Sequence, residues 1–175
     1  MNGYENHQSP SMSRTGALTI GFDDPRSEDV RALLQAHLAF SRSVTPPEYS
    51  FALDIDGLLD PGVTFFSARR DGVLVGAGAL KRLDEQHAEI KSMHTVQAAR
   101  GQGVGRAMLD HLLASARAQG YRRVSLETGT TDEFAAARAL YTMAGFHPCE
   151  PFGNYTASPY NTCMTISLER SPSPS

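Results

Sequence analysis

Cysteine is scarce in this chain. Cys149 and Cys163 are the only two in 175 residues. That is too few for a disulfide framework, and they lack the paired spacing of a metal site. Both read as reduced structural thiols. A strong charge bias is missing too. The net charge of −3 argues against a general nucleic-acid binder, which carries a basic excess. Arg69-Arg70, Lys81-Arg82 and Arg122-Arg123 are basic runs short enough to be solvated surface. No apolar stretch approaches the roughly 18 residues of a membrane span. The opening "MNGYENHQSPSMSRTG" has no apolar core of a signal peptide. The absences together lead us to expect a cytoplasmic protein with no nucleic-acid partner, no membrane and no metal.

What is present suits one globular domain. Hydrophobic residues make up 41% and charged residues 20%, and the length is enough to bury a core. Residues 1–15 are polar and rich in Ser, Asn and Gly, which predicts a disordered tail, as does 170–175. The domain is expected over 16–169. Ala17 to Phe22 reads as a strand. Asp24-Pro25 reads as a helix start, with Asp24 as cap, and Val30, Leu33, Leu34, His37 and Leu38 follow at helical spacing. Thr45-Pro46-Pro47-Glu48 reads as a capping box opening a second helix that ends near Gly57. Asp71-Gly72 sits between β-rich arms as a two-residue hairpin turn. "AEIKSMHTV" continues as a third strand.

The periodicity then switches. Val104, Met108, Leu109, Leu112 and Ala116 predict a helix stopping before Gly120. "RRVSLET" reads as a buried strand. Thr130 and Glu133 form a second capping box, opening a helix from Phe134 to Ala144 with Gly145 as its stop. "GFHPCEPF" and "TCMTISLE" supply two last strands. The expected order is β-α-α-β-β-β-α-β-α-β-β, in which only the middle β-α-β requires a parallel pair.

At that switch lies "HTVQAARGQGVGRAML", with Gly101, Gly103 and Gly105 between a strand and a helix N-terminus. Unpaired N–H donors and the helix dipole make such a junction an anion site. A P-loop needs Lys-Ser/Thr after its last glycine; Arg106-Ala107 stands there. A dinucleotide fingerprint lacks its third glycine, although Glu127 stands about 20 residues on, where a ribose-binding acid belongs. The remaining pattern is R-x-x-G-x-G: Arg100, Gly103, Gly105.

With that pattern the chain resembles the GNAT superfamily of acyl-CoA N-acyltransferases, from about Ala17 to Leu168. "ALYTMAGF" is similar to the family's L-Y-x-x-x-G-F segment. "AEIKSM", "LETG" and "PFGNY" resemble a bacterial subgroup acting on small molecules. The resemblance implies an α/β (α+β) fold, with a mixed, mostly antiparallel twisted sheet and helices on both faces. It implies transfer of an acetyl group from acetyl-CoA to a primary amine by direct attack. Dimers are common among such enzymes. A non-catalytic acyl-CoA sensor of the same fold, and an NAD-binding oxidoreductase, stay open as alternatives.

Transfer to an amine needs a held cofactor, a neutral amine, a donor for the carbonyl oxygen and a proton for the thiolate. By resemblance, the backbone of Gly101, Gln102, Gly103, Val104 and Gly105, with Arg106, cradles pyrophosphate. Arg100 either pairs with phosphate or braces the loop. Met93, His94, Thr95 and Val96 offer an edge to pantetheine, and an N–H near Thr95 serves the oxyanion. His94 has the alternative of simply packing against a helix. Glu89 is the first candidate for general base and Glu127 the second. Each has a plain structural alternative: an exposed glutamate for Glu89, a turn cap for Glu127. Tyr141 matches the tyrosine that protonates the thiolate; its alternative is a core aromatic. Many family members carry asparagine seven residues earlier, against the cofactor; here Phe134 stands in its place. Tyr49, Phe152, Asn154 and Tyr155 are expected to line the acceptor site. Asp54 and Asp56 would suit a cationic amine, whereas Lys91 would prefer an acidic acceptor.

Overall fold

A computed structural model describes residues 16–50 and 52–169. The tails expected at 1–15 and 170–175 lie outside the described residues. The elements run β1 (Leu18–Phe22), α1 (Glu28–Val44), α2 (Ile55–Leu58), β2 (Val63–Arg70), β3 (Val73–Arg82), β4 (His87–Thr95), α3 (Val104–Ala118), β5 (Arg123–Gly129), α4 (Ala135–Ala144), β6 (His147–Cys149) and β7 (Asn161–Ser167). This is the expected order. The seven strands form one sheet in the order β1-β2-β3-β4-β5-β7-β6. Only β4 and β5 pair in parallel. A dinucleotide fold needs a mostly parallel sheet, so the oxidoreductase alternative fails on topology.

Each face of the sheet carries its own core. Val30, Leu33 and Leu34 of α1 and Leu58 of α2 pack on Phe65, Leu74, Ala77 and Ala79. On the other face Val104, Met108, Leu109 and Leu112 of α3 meet Phe66, Val75, Leu80 and Ile90, joined by Tyr141 and Phe146. Phe65 and Phe66 split between the faces by the two-residue alternation of a pleat, whereas the extra residue Val75, where the β2–β3 register shifts, breaks that alternation in β3. At Asp71-Gly72 both φ angles are positive, 51° and 77°, which is the geometry a tight hairpin turn requires.

Three helix starts depart from expectation. Asp24 caps a turn instead of α1: its Oδ1 accepts from the Arg26 amide at 2.9 Å, and Ser27 N donates back to the Asp24 carbonyl at 3.0 Å. The helix begins at Glu28, with Glu28 and Asp29 in its first turn, where the dipole favours acids. The second helix is not continuous. Thr45 and Pro46 have extended ψ values of 132° and 143°, because a residue before proline avoids the helical region, and Ser50 is extended as well, with ψ 112°. What remains is a 3₁₀ turn, Pro47–Tyr49, and the four-residue α2, capped by Asp54 accepting from Gly57 N at 2.9 Å. Before α4, Asp132–Phe134 form a 3₁₀ turn. Thr130 is drawn away from capping, donating its hydroxyl to the Pro159 carbonyl at 2.6 Å.

One glycine ties the two layers together. A Cβ on Gly76 of β3 would lie 2.9 Å from Val104 Cγ1 and 3.2 Å from the His94 carbonyl oxygen. Neither the first residue of α3 nor the β4 backbone has room to retreat. Gly76→Ala should therefore cost about 1–3 kcal/mol of stability by overpacking, read as a lower urea midpoint at unchanged slope. A midpoint equal to that of the unmodified protein would show that α3 moves off the sheet freely.

Candidate active site

The site is a fork in the sheet. β4 and β5 pair only at His87↔Arg123, Ala88↔Val124 and Glu89↔Ser125. Side chains clamp this closed end. His87 Nε2 lies 2.6 Å from Ser125 Oγ, which lies 2.8 Å from Thr165 Oγ1, and Arg123 Nε donates to the same oxygen at 2.8 Å. Past Glu89 the strands part, leaving Ile90 to Thr95 without a β5 partner. In the same stretch β4 carries a bulge: Ser92 and Met93 stand opposite Gly78, with Ser92 at φ 56°. A bulge with its first residue left-handed bends a strand and re-aims its side chains. Val96 N donates to the Val75 carbonyl at 2.9 Å. Thr95, one residue earlier, therefore turns its own N–H and C=O toward the open side of the fork.

Two cavities meet at the fork. The larger, about 480 Å³, runs between the glycine loop and α4. Gly101 (φ 75°) and Gly103 (φ 82°) take left-handed backbone. The first intrahelical bond of α3 runs from Ala107 N to the Gly103 carbonyl at 3.0 Å. It leaves the amides of Val104, Gly105 and Arg106 unspent at the helix start. Arg100, Gly101, Gly103, Val104, Gly105 and Arg106 form one wall of this cleft. Met93, His94, Thr95, Phe134 and Tyr141 complete it. Two expected members are placed differently. Val96 spends its amide on β3 and lines a separate groove beside α1. The Gln102 side chain is the brace of the loop, accepting from Arg70 Nη1 at 2.7 Å and donating to the Ala98 carbonyl at 3.2 Å.

The smaller cavity, about 110 Å³, lies deeper. Glu89, far from being an exposed strand residue, is 3% exposed. Its Oε2 accepts from the Tyr155 hydroxyl and lies 3.5 Å from Lys91 Nζ, which donates to the Tyr155 oxygen at 2.6 Å. Glu127 lines the same cavity from β5. Burial, reinforced by Glu89 and opposed by Lys91, pushes its carboxyl up to about 7. Tyr141 is 7% exposed, with its hydroxyl 3.9 Å from Met93 Sδ; burial pushes its phenol up to about 12. His37 of α1 and His94 of β4 place their Nδ1 atoms 3.2 Å apart. Desolvation, first for both, lowers each to about 4, so the pair is neutral at pH 7.

His37, Met93, Phe134, Ala137 and Tyr141 line both cavities and mark where they join. Of the expected acceptor residues, Tyr49 and Tyr155 line the inner cavity. Phe152 does not; its ring packs behind Tyr155 at 5.0 Å and beside His87 at 5.8 Å. Asn154 is exposed and lines neither cavity, because the turn closed by Tyr155 N on the Phe152 carbonyl points it outward. Asp54 and Asp56 border a surface groove beside α1, well apart from the fork. Three further side chains sit at the site. His37 lies on a helix face whose spacing reads as apolar. Ser92 gives no sequence signal for its bulge. Phe40, whose ring tilts against Phe134 at 5.5 Å, looked like any helical aromatic. The Lys91 position was legible, since residues two apart on a strand share a face.

Comparison with known proteins agrees with this geometry. Residues 28–146 match the family model described as the acetyltransferase (GNAT) family. The uncharacterised N-acetyltransferase YsnE of Bacillus subtilis is 42% identical over 149 residues, covering 85% of this chain and 99% of that protein. The uncharacterised N-acetyltransferase YedL of Escherichia coli is 41% identical over 150 residues, covering 86% and 94%. A crystal structure from Klebsiella pneumoniae, assigned to the acyl-CoA N-acyltransferases, superposes with a TM-score of 0.74 at 29% identity, covering 87% of this chain and 98% of that one.

The raised Glu127 carboxyl has a consequence for stability. The folded protein holds this proton more tightly than the unfolded chain does. Its contribution is therefore full below about pH 4.5 and is lost as the pH rises through 7. Glu127→Gln stays neutral throughout. Between pH 4.5 and 7.5 the variant should gain on the unmodified protein by on the order of 1–3 kcal/mol in paired urea titrations. Parallel stability curves would mean that this carboxyl titrates normally.

Proposed function

The chain belongs to the acetyltransferase (GNAT) family and is an N-acetyltransferase, and from that premise we propose that it moves the acetyl group of acetyl-CoA onto a primary amine of a small molecule. The carrying observation is the fork itself. It sets a phosphate-suited loop, an unspent strand edge, a carboxyl raised to about 7 and a buried phenol around one junction. The pyrophosphate would rest on the amides of Val104, Gly105 and Arg106, and the pantetheine along Met93 to Thr95. The small size of the inner cavity supports an unbranched primary amine, and its depth supports a small molecule over a folded protein surface.

In the reaction the amine forms a C–N bond as the C–S bond of the thioester breaks. Glu127 takes the amine proton. A base with a pKa near the working pH contributes about 10²–10⁴-fold, and the Glu127 carboxyl meets that condition. The Glu89 carboxylate is already committed to Tyr155 and Lys91, which makes it a positioning group that orders the cavity floor. Thr95 N–H receives the charge growing on the carbonyl oxygen, a contribution of about 3 kcal/mol. Tyr141 keeps its proton at any ordinary pH and gives it to the departing sulfur.

The test is acetylation of a panel of small primary amines with acetyl-CoA, followed by thiol release. Glu127→Gln should lower kcat by about 10²–10⁴-fold and remove an acid limb near pH 7, with acetyl-CoA affinity kept. Tyr141→Phe should likewise lower kcat more than KM. Full activity of Glu127→Gln would remove it as the base, and absence of any acetyl-CoA binding would remove the whole reading.

A further inference from the structure

The junction between the two cavities has one large movable-looking element that is in fact pinned. The Phe134 ring lies directly on the Cα of Gly129: a Cβ there would fall 2.1 Å from Phe134 Cδ2 and 2.4 Å from Cε2. From the other side Phe40 of α1 tilts against it, centroid to centroid 5.5 Å. Gly129 ends β5, and its carbonyl is itself held by Arg138 Nη1 at 2.8 Å. The same nitrogen reaches the Thr131 carbonyl at 2.8 Å, so the segment that carries Phe134 is fastened at both ends. The ring lines the cleft and the inner cavity alike.

Any acyl group presented from the cleft must pass this ring to meet an amine in the inner cavity. We propose that Phe134, seated on Gly129 and backed by Phe40, sets the length of acyl chain the enzyme accepts and restricts its donors to acetyl-sized thioesters. The argument rests on the acyl-CoA reading of the cleft and goes beyond it. The inner cavity measures about 110 Å³, smaller than an apolar cavity of about 150 Å³ that holds the six heavy atoms of benzene. An acetyl group and the amine carbon–nitrogen unit total five heavy atoms, and they fill the space. A hexanoyl chain brings four more carbons. Those have nowhere to go unless the ring leaves, and its seat, its backing and its fastened segment all oppose that. Truncating the ring would widen the junction between the two volumes.

The experiment measures binding of CoA, acetyl-CoA and hexanoyl-CoA by calorimetry to the full chain, Phe134→Ala and Phe134→Leu. No acceptor is needed. The unmodified protein should bind hexanoyl-CoA at least about 10-fold more weakly than acetyl-CoA, since one surplus methylene in a fitted pocket already costs about 10–200-fold. In Phe134→Ala that ratio should fall to within about 3-fold, and Phe134→Leu should lie between. CoA binding by the variants reports that the cleft is intact; if the alanine variant does not fold, the leucine variant decides. An unchanged ratio with CoA still bound would overturn the gauge while leaving the acyl-CoA reading standing. So would equal binding of both thioesters by the unmodified protein. If none of the three ligands binds the unmodified protein, the acyl-CoA reading falls and the gauge with it.

Discussion

Everything at the candidate site depends on a parallel pairing that stops after three residues. Had β4 and β5 stayed bonded along their lengths, Thr95 would have had no free amide and no cavity would lie between the strands. The clamp of His87, Ser125, Thr165 and Arg123 explains why the pair holds at one end. The bulge at Ser92 and Met93 bends β4 where it parts from its neighbour. Core packing does the rest, because Tyr141 and Phe146 occupy the wedge on one face. The fork is thus a product of ordinary strand and core physics, and the chemistry is an occupant of the gap it leaves.

The two carboxylates in that gap show how environment separates like groups. Both lie on strands that flank the fork, Glu89 at the last paired position and Glu127 two residues past it. Glu89 has a phenol and an ammonium group against it, so its charge is answered inside the protein. Glu127 feels burial and the charge of Glu89, and Lys91 offsets these only in part. The two carboxylates thus differ in their surroundings: Glu89 is held by Tyr155 and Lys91, and burial raises Glu127.

Much of this was legible in the sequence, for reasons that can be named. The order of elements followed from hydrophobic period, from Asp71-Gly72 and from Gly145, each a local signal with a local cause. The glycine loop was legible because the φ angles at Gly101 and Gly103 demand glycine. Helix starts were not: Asp24, Thr45 and Thr130 all have capping chemistry, yet Asp24 and Thr130 spend it elsewhere and Thr45 precedes no continuous helix. Pro46-Pro47 overrode the capping pair around them, as backbone sterics override side-chain preference. The acceptor lining was half legible. Tyr155 faces in and Asn154 out because of one turn, and neighbouring residues of a loop carry no periodic pattern to sort them. His37 and Phe40 enter the site from α1 only through packing across the sheet, which no spacing in the chain records.

The cluster of Glu89, Tyr155 and Lys91 also bears on self-damage. The chain contains only two lysines, Lys81 and Lys91, and Lys91 lines the inner cavity, where the proposed reaction would bring a reactive acyl group. A lysine there is a rival acceptor, held at high effective concentration. Its nitrogen becomes a nucleophile only as the free base. Lys91 faces the Glu89 carboxylate and donates toward the Tyr155 oxygen, so its amino group is held at the cavity floor. Under the proposed reaction, that contact would hold the amino group away from the acyl donor.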